Sequence, residues 1–316
     1  MVPPLTNPLA EGVHSLEVDG LALRYHVHGT GPVCVVHPGG PGIAWEYLRA
    51  PELERSLTVV YLEPTGTGGS DRLATHPHGY TRDLYSRHLT ALIDHLAVGR
   101  VHLLGHSHGG FVAQYHAMHR PDQLAGVVLY ESAPGNGPEF GEEMIRKAGE
   151  FAARQAGRPD VQSVMDAFAA IPAISDDEAM VAAAKGVLPA YVADYWADTP
   201  RWSRLQEALQ ATYISGLGGN GAPDLFDDRD ALRALTVPAL VVVGRHDVVC
   251  GVRWAQELHE LLPASRLLLL EHSGHFGHLE EPENFAQEIA SFVAAGSNAA
   301  TIPSWIDNKI SSYRPC

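Results

Sequence analysis

Residues able to carry out acyl transfer together stand far apart in the chain, each just past an apolar run. Ser107 lies in Gly105-His106-Ser107-His108-Gly109-Gly110, after the run Val101 to Leu104 and before a helix-forming stretch. A G-x-S-x-G sequence between strand and helix makes a turn so tight that side chains at the two glycines would clash, leaving the serine hydroxyl exposed on a strained backbone. The helix N-terminus behind it favours developing negative charge. A serine hydroxyl is a weak nucleophile at neutral pH and needs a histidine base, which an acid must orient.

Three histidines compete for that role in Glu271-His272-Ser273-Gly274-His275-Phe276-Gly277-His278, after the run Arg266 to Leu270. His275 is best placed, because Ser273-Gly274 permits a turn that projects the next side chain over a sheet edge. Read as metal ligands, His272, His275 and His278 lack any accompanying Asp-rich or Cys-rich set. A chain with 18 histidines produces such spacing by chance, so neither metal nor cofactor is expected. The expected orienting acid is Asp247, in Gly244-Arg245-His246-Asp247 after Ala239 to Val243, with Glu131, just beyond Tyr130, as its rival. A developing oxyanion needs two N–H donors. His108 and Gly40, the latter in His37-Pro38-Gly39-Gly40-Pro41-Gly42, are in position to supply them.

The elements that must position these residues follow from periodicity. Val13 to Val18 and Leu21 to His28 alternate with period two around Asp19-Gly20, a hairpin signal. Apolar runs at Val33 to His37, Thr58 to Glu63, Val101 to Leu104, Leu124 to Tyr130, Ala239 to Val243 and Arg266 to Leu270 then alternate with helical stretches. Among these helices are Thr81 to Val98, one after Gly109, Val252 to Leu262 and one from Pro282. This pattern predicts a doubly wound, mostly parallel α/β sheet. The Ala-rich stretch 133–230 shows helical spacing and no strand, and it predicts a helical lid inserted after the sixth strand. The core is then 1–132 with 231–296. The tail 297–316 is expected to be loosely ordered, or to dock Trp305, Ile306 and Ile310 on the chain itself or on a neighbour in a homo-oligomer.

The composition, 45% hydrophobic, supplies a full core. Lys+Arg 22 against Asp+Glu 37 gives a net charge of −15, which argues against nucleic acid and anionic membranes as partners and leaves a small-molecule substrate. No apolar run approaches the roughly 18 residues of a membrane span. No basic residue precedes Arg24, so a secretory signal is not expected and the location reads as cytoplasmic. Cys34, Cys250 and Cys316 have no paired spacing and read as incidental thiols.

The order Ser, Asp, His and the glycine-proline loop Gly39-Gly40-Pro41-Gly42 resemble the α/β-hydrolases, and within them the proline-iminopeptidase-like branch. Gly66-Thr67-Gly68-Gly69-Ser70-Asp71, Gly244 with Asp247, and Gly274-His275 followed by Glu281-Pro282 and Phe285 extend the resemblance over about Leu21 to Phe292. It implies a serine hydrolase with the triad Ser107, Asp247 and His275. Three features depart from the branch: Pro38, where a His is usual; Glu63-Pro64-Thr65, where Asp-x-Arg is usual; and a lid without Trp-x-x-Trp-Glu to hold a substrate amine. The expected substrate is therefore a neutral ester, lactone or amide. Proline iminopeptidase is the alternative, as is an acyltransferase or thioesterase using the same triad. Of the lid aromatics Phe168, Tyr191, Tyr195, Trp196, Trp202 and Tyr213, most are expected to pack the lid. Tyr195, Trp196 and Trp202, with Glu131, are the candidate substrate contacts.

Overall fold

The computed structural model describes residues 7–297. Eight strands form one sheet: β1 (Gly12–Val18), β2 (Leu21–His28), β3 (Val33–His37), β4 (Thr58–Glu63), β5 (Val101–His106), β6 (Leu124–Tyr130), β7 (Ala239–Gly244) and β8 (Ser265–Leu270). Their spatial order is β1-β2-β4-β3-β5-β6-β7-β8, antiparallel at β1–β2 and β2–β4 and parallel elsewhere. The hairpin turns at Asp19 and Gly20, both with positive φ as its tight geometry demands.

The α-helices of the described residues are α1 (Pro51–Glu54), α2 (Arg82–Leu96), α3 (His108–His119), α4 (Pro138–Arg154), α5 (Val161–Ala170), α6 (Asp177–Tyr191), α7 (Thr199–Ala208), α8 (Arg229–Leu232), α9 (Val252–Leu261), α10 (Gly277–Glu280) and α11 (Pro282–Ser297). Helix α2 starts where the Thr81 hydroxyl accepts from Leu84 N–H and stops at Ala97, whose left-handed backbone unwinds it.

Period-two alternation sends side chains to both sheet faces, which explains the double winding. Val127 and Leu129 of β6, with Val241 and Val243 of β7, join the core made by Leu89, Leu92, Ala113 and Leu258 of α2, α3 and α9. Val128, Tyr130, Leu240 and Val242 point the other way, into Leu53 of α1 and Phe285, Ile289 and Phe292 of α11. Between β6 and β7 the described residues contain no strand, only isolated bridges such as Gly135 with Asp227. Helices α4 to α8 occupy that stretch. Trp305, Ile306 and Ile310 of the expected tail lie outside the described residues, as does the start of the chain at Met1. Among the described residues no helix is long and apolar enough to cross a membrane.

Candidate active site

Parallel strands present their C-terminal ends on one edge, and the site is assembled there. Ser107 follows β5 directly with φ 55° and ψ −120°, a conformation that costs a non-glycine residue roughly 1–3 kcal/mol. Its own N–H donates to Tyr130 O at 2.8 Å, which ties the turn to the end of β6. Both flanking glycines are needed. A Cβ on Gly105 would lie 2.1 Å from Gly109 O, and one on Gly109 would lie 2.2 Å from His37 O.

His275, after β8, is held by its backbone and its ring. Its N–H donates to Tyr191 O at 2.6 Å, and Nδ1–H donates to Asp247 Oδ1 at 3.0 Å. Asp247, wholly buried after β7, also accepts from Val249 N–H and Cys250 N–H, each at 2.8 Å. Burial alone would raise its carboxyl, but the facing His275 and these hydrogen bonds outweigh that and hold it below the usual carboxylate range. Gly244 lets the two strand ends meet, since a Cβ there would lie 2.1 Å from Gly274 O. Glu131 stands behind this pair, completely buried, with Oε1 accepting from Gly244 N–H at 2.6 Å.

A second pair of histidines sets the loops. The Tyr47 hydroxyl accepts from Gly39 N–H and lies 2.7 Å from His106 Nδ1, so it donates there. That leaves His106 Nε2–H to donate to His275 O at 3.0 Å. His278 repeats the scheme between the Tyr130 hydroxyl, at 3.0 Å, and Tyr47 O, at 2.8 Å. Burial pushes His106 well below its ordinary value and His278 to about 4, so both rings are neutral connectors. Glu63, at the departure from the Asp-x-Arg pattern, is also structural, with its carboxylate accepting from Gly69 N–H and facing His26 and Arg24.

Two chambers meet at Ser107. The first, about 280 Å³, is lined by Ser107, His275, Tyr47, His106 and Gly40 at its polar end. Beyond them its wall is apolar, built from Ile43, Phe140, Met144, Ile171, Ile174, Leu209 and Phe276 together with one stripe of α6. That stripe is Met180, Ala183, Ala184, Val187, Leu188 and Tyr191, one helix face at spacings of three and four. The second chamber, about 270 Å³, shares Gly40, Ser107, Phe140 and Val249 with the first and adds Tyr80, Arg82, His108, Asn136, Asp224, Phe226 and Cys250. In it the Arg82 guanidinium pairs with Asp228 at 2.5 Å, while the Asp224 carboxylate accepts from the backbone N–H of Arg82 at 3.0 Å. Among the described residues, the amides of Gly40 and His108 donate to no protein acceptor and stay free beside Ser107.

The four residues expected as substrate contacts stand apart from both chambers. Tyr195, Trp196, Trp202 and Glu131 line neither chamber. Tyr195 and Trp202 are buried in the packing of the inserted helices, with the Tyr195 hydroxyl donating to Gln206. Trp196 stacks on Phe151. Large rings next to apolar neighbours close the inserted segment onto the sheet, and Glu131 faces the acid rather than the cavity. Of the six aromatics singled out, Tyr191 alone lines a chamber. The α6 stripe was visible in the sequence as helical spacing, but apart from Tyr191 its residues are Met, Ala, Val and Leu, which carry no reactive group. The histidines separate as well. His272 is exposed, and the described residues with ligand atoms grouped closely enough for a metal are Glu131, Asp247 and His275.

The model of the alpha/beta hydrolase fold family matches residues 32–282, and the chain belongs to that family of enzymes. It is 28% identical over 302 residues to a 2-hydroxy-6-oxo-2,4-heptadienoate hydrolase of Pseudomonas putida, covering 92% of this chain and 99% of that one. A proline iminopeptidase of Clostridioides difficile is 24% identical, with coverage of 85% and 92%. The enol-lactonase of Burkholderia xenovorans superposes with a TM-score of 0.65 at 22% identity, over 89% of this chain and all of that chain.

Proposed function

We propose that this enzyme hydrolyses a neutral ester, lactone or amide of a small molecule through an acyl-enzyme on Ser107. One observation carries the reading: Ser107, strained at the end of β5, shares a cavity with His275, whose other ring nitrogen is hydrogen-bonded to a buried carboxylate. Ser107 Oγ attacks the carbonyl carbon and passes its proton to His275 Nε2, while Asp247 steadies the imidazolium. The Gly40 and His108 amides stabilise the oxyanion. His275 then protonates the leaving group, and water reverses the sequence to release the acid. The helices between β6 and β7 serve as the lid that closes this site from water.

The chamber walls support an uncharged substrate. An N-terminal proline brings a protonated amine, which needs a dedicated carboxylate when partly desolvated. The apolar chamber has no Asp or Glu in its lining, and Asp224, which lines the second chamber, already accepts from the Arg82 backbone N–H. The apolar chamber is near the lower end of small-ligand sites, roughly 300 Å³, and suits a compact hydrocarbon group.

The deciding experiment labels the protein with a fluorophosphonate and assays a panel of p-nitrophenyl esters, lactones and aminoacyl naphthylamides. Labelling that disappears in Ser107→Ala, together with faster turnover of neutral compounds, is expected. Unchanged turnover in Ser107→Ala defeats the nucleophile, and preference for free prolyl-naphthylamide restores the iminopeptidase.

A further inference from the structure

Two carboxyl groups share one sealed space behind His275. Glu131 and Asp247 are both 0% exposed, and ligand atoms of Glu131, Asp247 and His275 lie within 4.8 Å of one another. Asp247 is fully supplied with donors, from His275 Nδ1–H, Val249 N–H and Cys250 N–H. Glu131 is not. Its Oε1 accepts from Gly244 N–H, while its Oε2 is buried with no donor facing it. An ionised oxygen there would be desolvated without compensation, and two ionised carboxylates this close would repel each other strongly. One proton resolves both problems.

We propose that Glu131 is a positioning residue that keeps a proton on Oε2 and donates it to the Asp247 carboxylate, so that the acid pair carries a single negative charge. The inference rests on the acyl-transfer reading, because the His275–Asp247 pair is what Glu131 serves. The other titratable groups facing the pair are Tyr130 from β6, Cys250 after β7, His275 and Glu280 after β8, and Tyr191 from α6. None supplies a fixed positive charge that would keep a second carboxylate ionised. Burial pushes the Glu131 carboxyl well above its ordinary value, and the neighbouring Asp247 pushes it further.

The proton has a consequence for His275. A carboxylate that accepts one more hydrogen bond disperses its charge and attracts the imidazole proton less. Glu131 therefore restrains the basicity that Asp247 would otherwise confer, and its hydrogen bond helps to fix the plane of the Asp247 carboxylate. A charged orienting acid and a neutral proton donor predict opposite outcomes for a glutamine. The Glu131→Gln amide can still accept from Gly244 N–H and donate to Asp247, whereas Glu131→Met keeps the size and removes both contacts.

The test combines kinetics with infrared spectroscopy of the whole protein. Glu131→Gln is expected to keep kcat/KM within about threefold with an unmoved acid limb, while Glu131→Met raises the acid-limb pKa by about half a unit and lowers kcat by roughly tenfold. At pH 8 the wild type should show the carbonyl band of a protonated, buried carboxylic acid, lost in Glu131→Gln. Absence of that band overturns the proposal, and so does a Glu131→Gln enzyme as crippled as Asp247→Asn. Wild-type turnover in Asp247→Asn would instead defeat the acyl-transfer assignment, while the infrared band would still report whether Glu131 holds the proton.

Discussion

The sheet and the helices inserted between β6 and β7 are built to opposite specifications. Every residue of β4, β5 and β7 is buried, and the polar groups at their ends are hydrogen-bonded to one another across strands. The inserted helices are half-solvated. Helix α5 buries Val164 alone, and α4 buries Glu143, Ala148 and Phe151. What the insertion gives the site is shape, through the apolar stripe of α6, whereas the strand ends give it chemistry. A strand end fixes a reacting atom through many short-range constraints, so few residue types fit. A chamber wall asks only for apolar volume, which many side chains supply.

The sharpest test of that contrast lies at the strand ends. Asp247→Asn should lower turnover by about 10⁴-fold with the fold intact, because the imidazole is left in the wrong tautomer. Steady-state kinetics measure it, and a mild loss would show that the site tolerates substitution as the insertion does. Next comes packing. Leu240→Ala, at a fully buried position in β7, should cost about 2–5 kcal/mol in denaturant unfolding, while Ile145→Ala, 71% exposed on α4, should cost under about 0.5 kcal/mol. Equal losses would erase the distinction.

Specificity should move the other way. Val187→Phe fills the apolar chamber from α6, and turnover of longer acyl p-nitrophenyl esters should fall by roughly 10- to 100-fold while the acetate ester changes little. A uniform loss across chain lengths would place the wall's role in stability instead.

The smallest effect concerns the seam between the two regions. Glu280 accepts from Ala193 N–H of the insertion and from Gly274 N–H beside His275. Burial raises its carboxyl from 4.5 to about 7, so the folded state holds this proton more tightly than the unfolded chain does. Its stabilising contribution is full below about pH 4.5 and is lost as pH rises to about 7, a total of about 1–3 kcal/mol. Glu280→Gln should flatten that part of the stability profile, and an unchanged slope would remove Glu280 from the seam.

The same contrast explains how much could be read from the sequence. The hairpin at Asp19-Gly20, the eight strands and the positions of Ser107, Asp247 and His275 at strand ends were legible because period-two runs and turn residues are local signals. The chamber wall was not. Trp196 and Trp202 draw the eye as recognition residues, yet an aromatic ring is equally good packing, and sequence cannot say which side of a helix faces a cavity that two distant segments enclose. The Tyr47–His106 link was also hidden, because its partners are 59 residues apart and neither belongs to a motif in that role. Glu131 was seen as a rival acid, but that it lies against Asp247 rather than replacing it depends on strand register.

The neutral histidines carry a cost that appears only on acidification. His37, His102, His116 and His278 are held at about 4, His108 at about 3 and His106 well below its ordinary 6.5, in each case chiefly by burial. The unfolded chain therefore takes up protons at these six positions from about pH 6.5 downward while the folded chain refuses them. Stability is full above that pH and drains away toward pH 4, by up to about 1.4 kcal/mol per pH unit for each ring. Buried rings, His106 and His278 beside Ser107 among them, thus double as a proton sink in the denatured state, and mild acid should unfold this protein in one steep, strongly proton-coupled step.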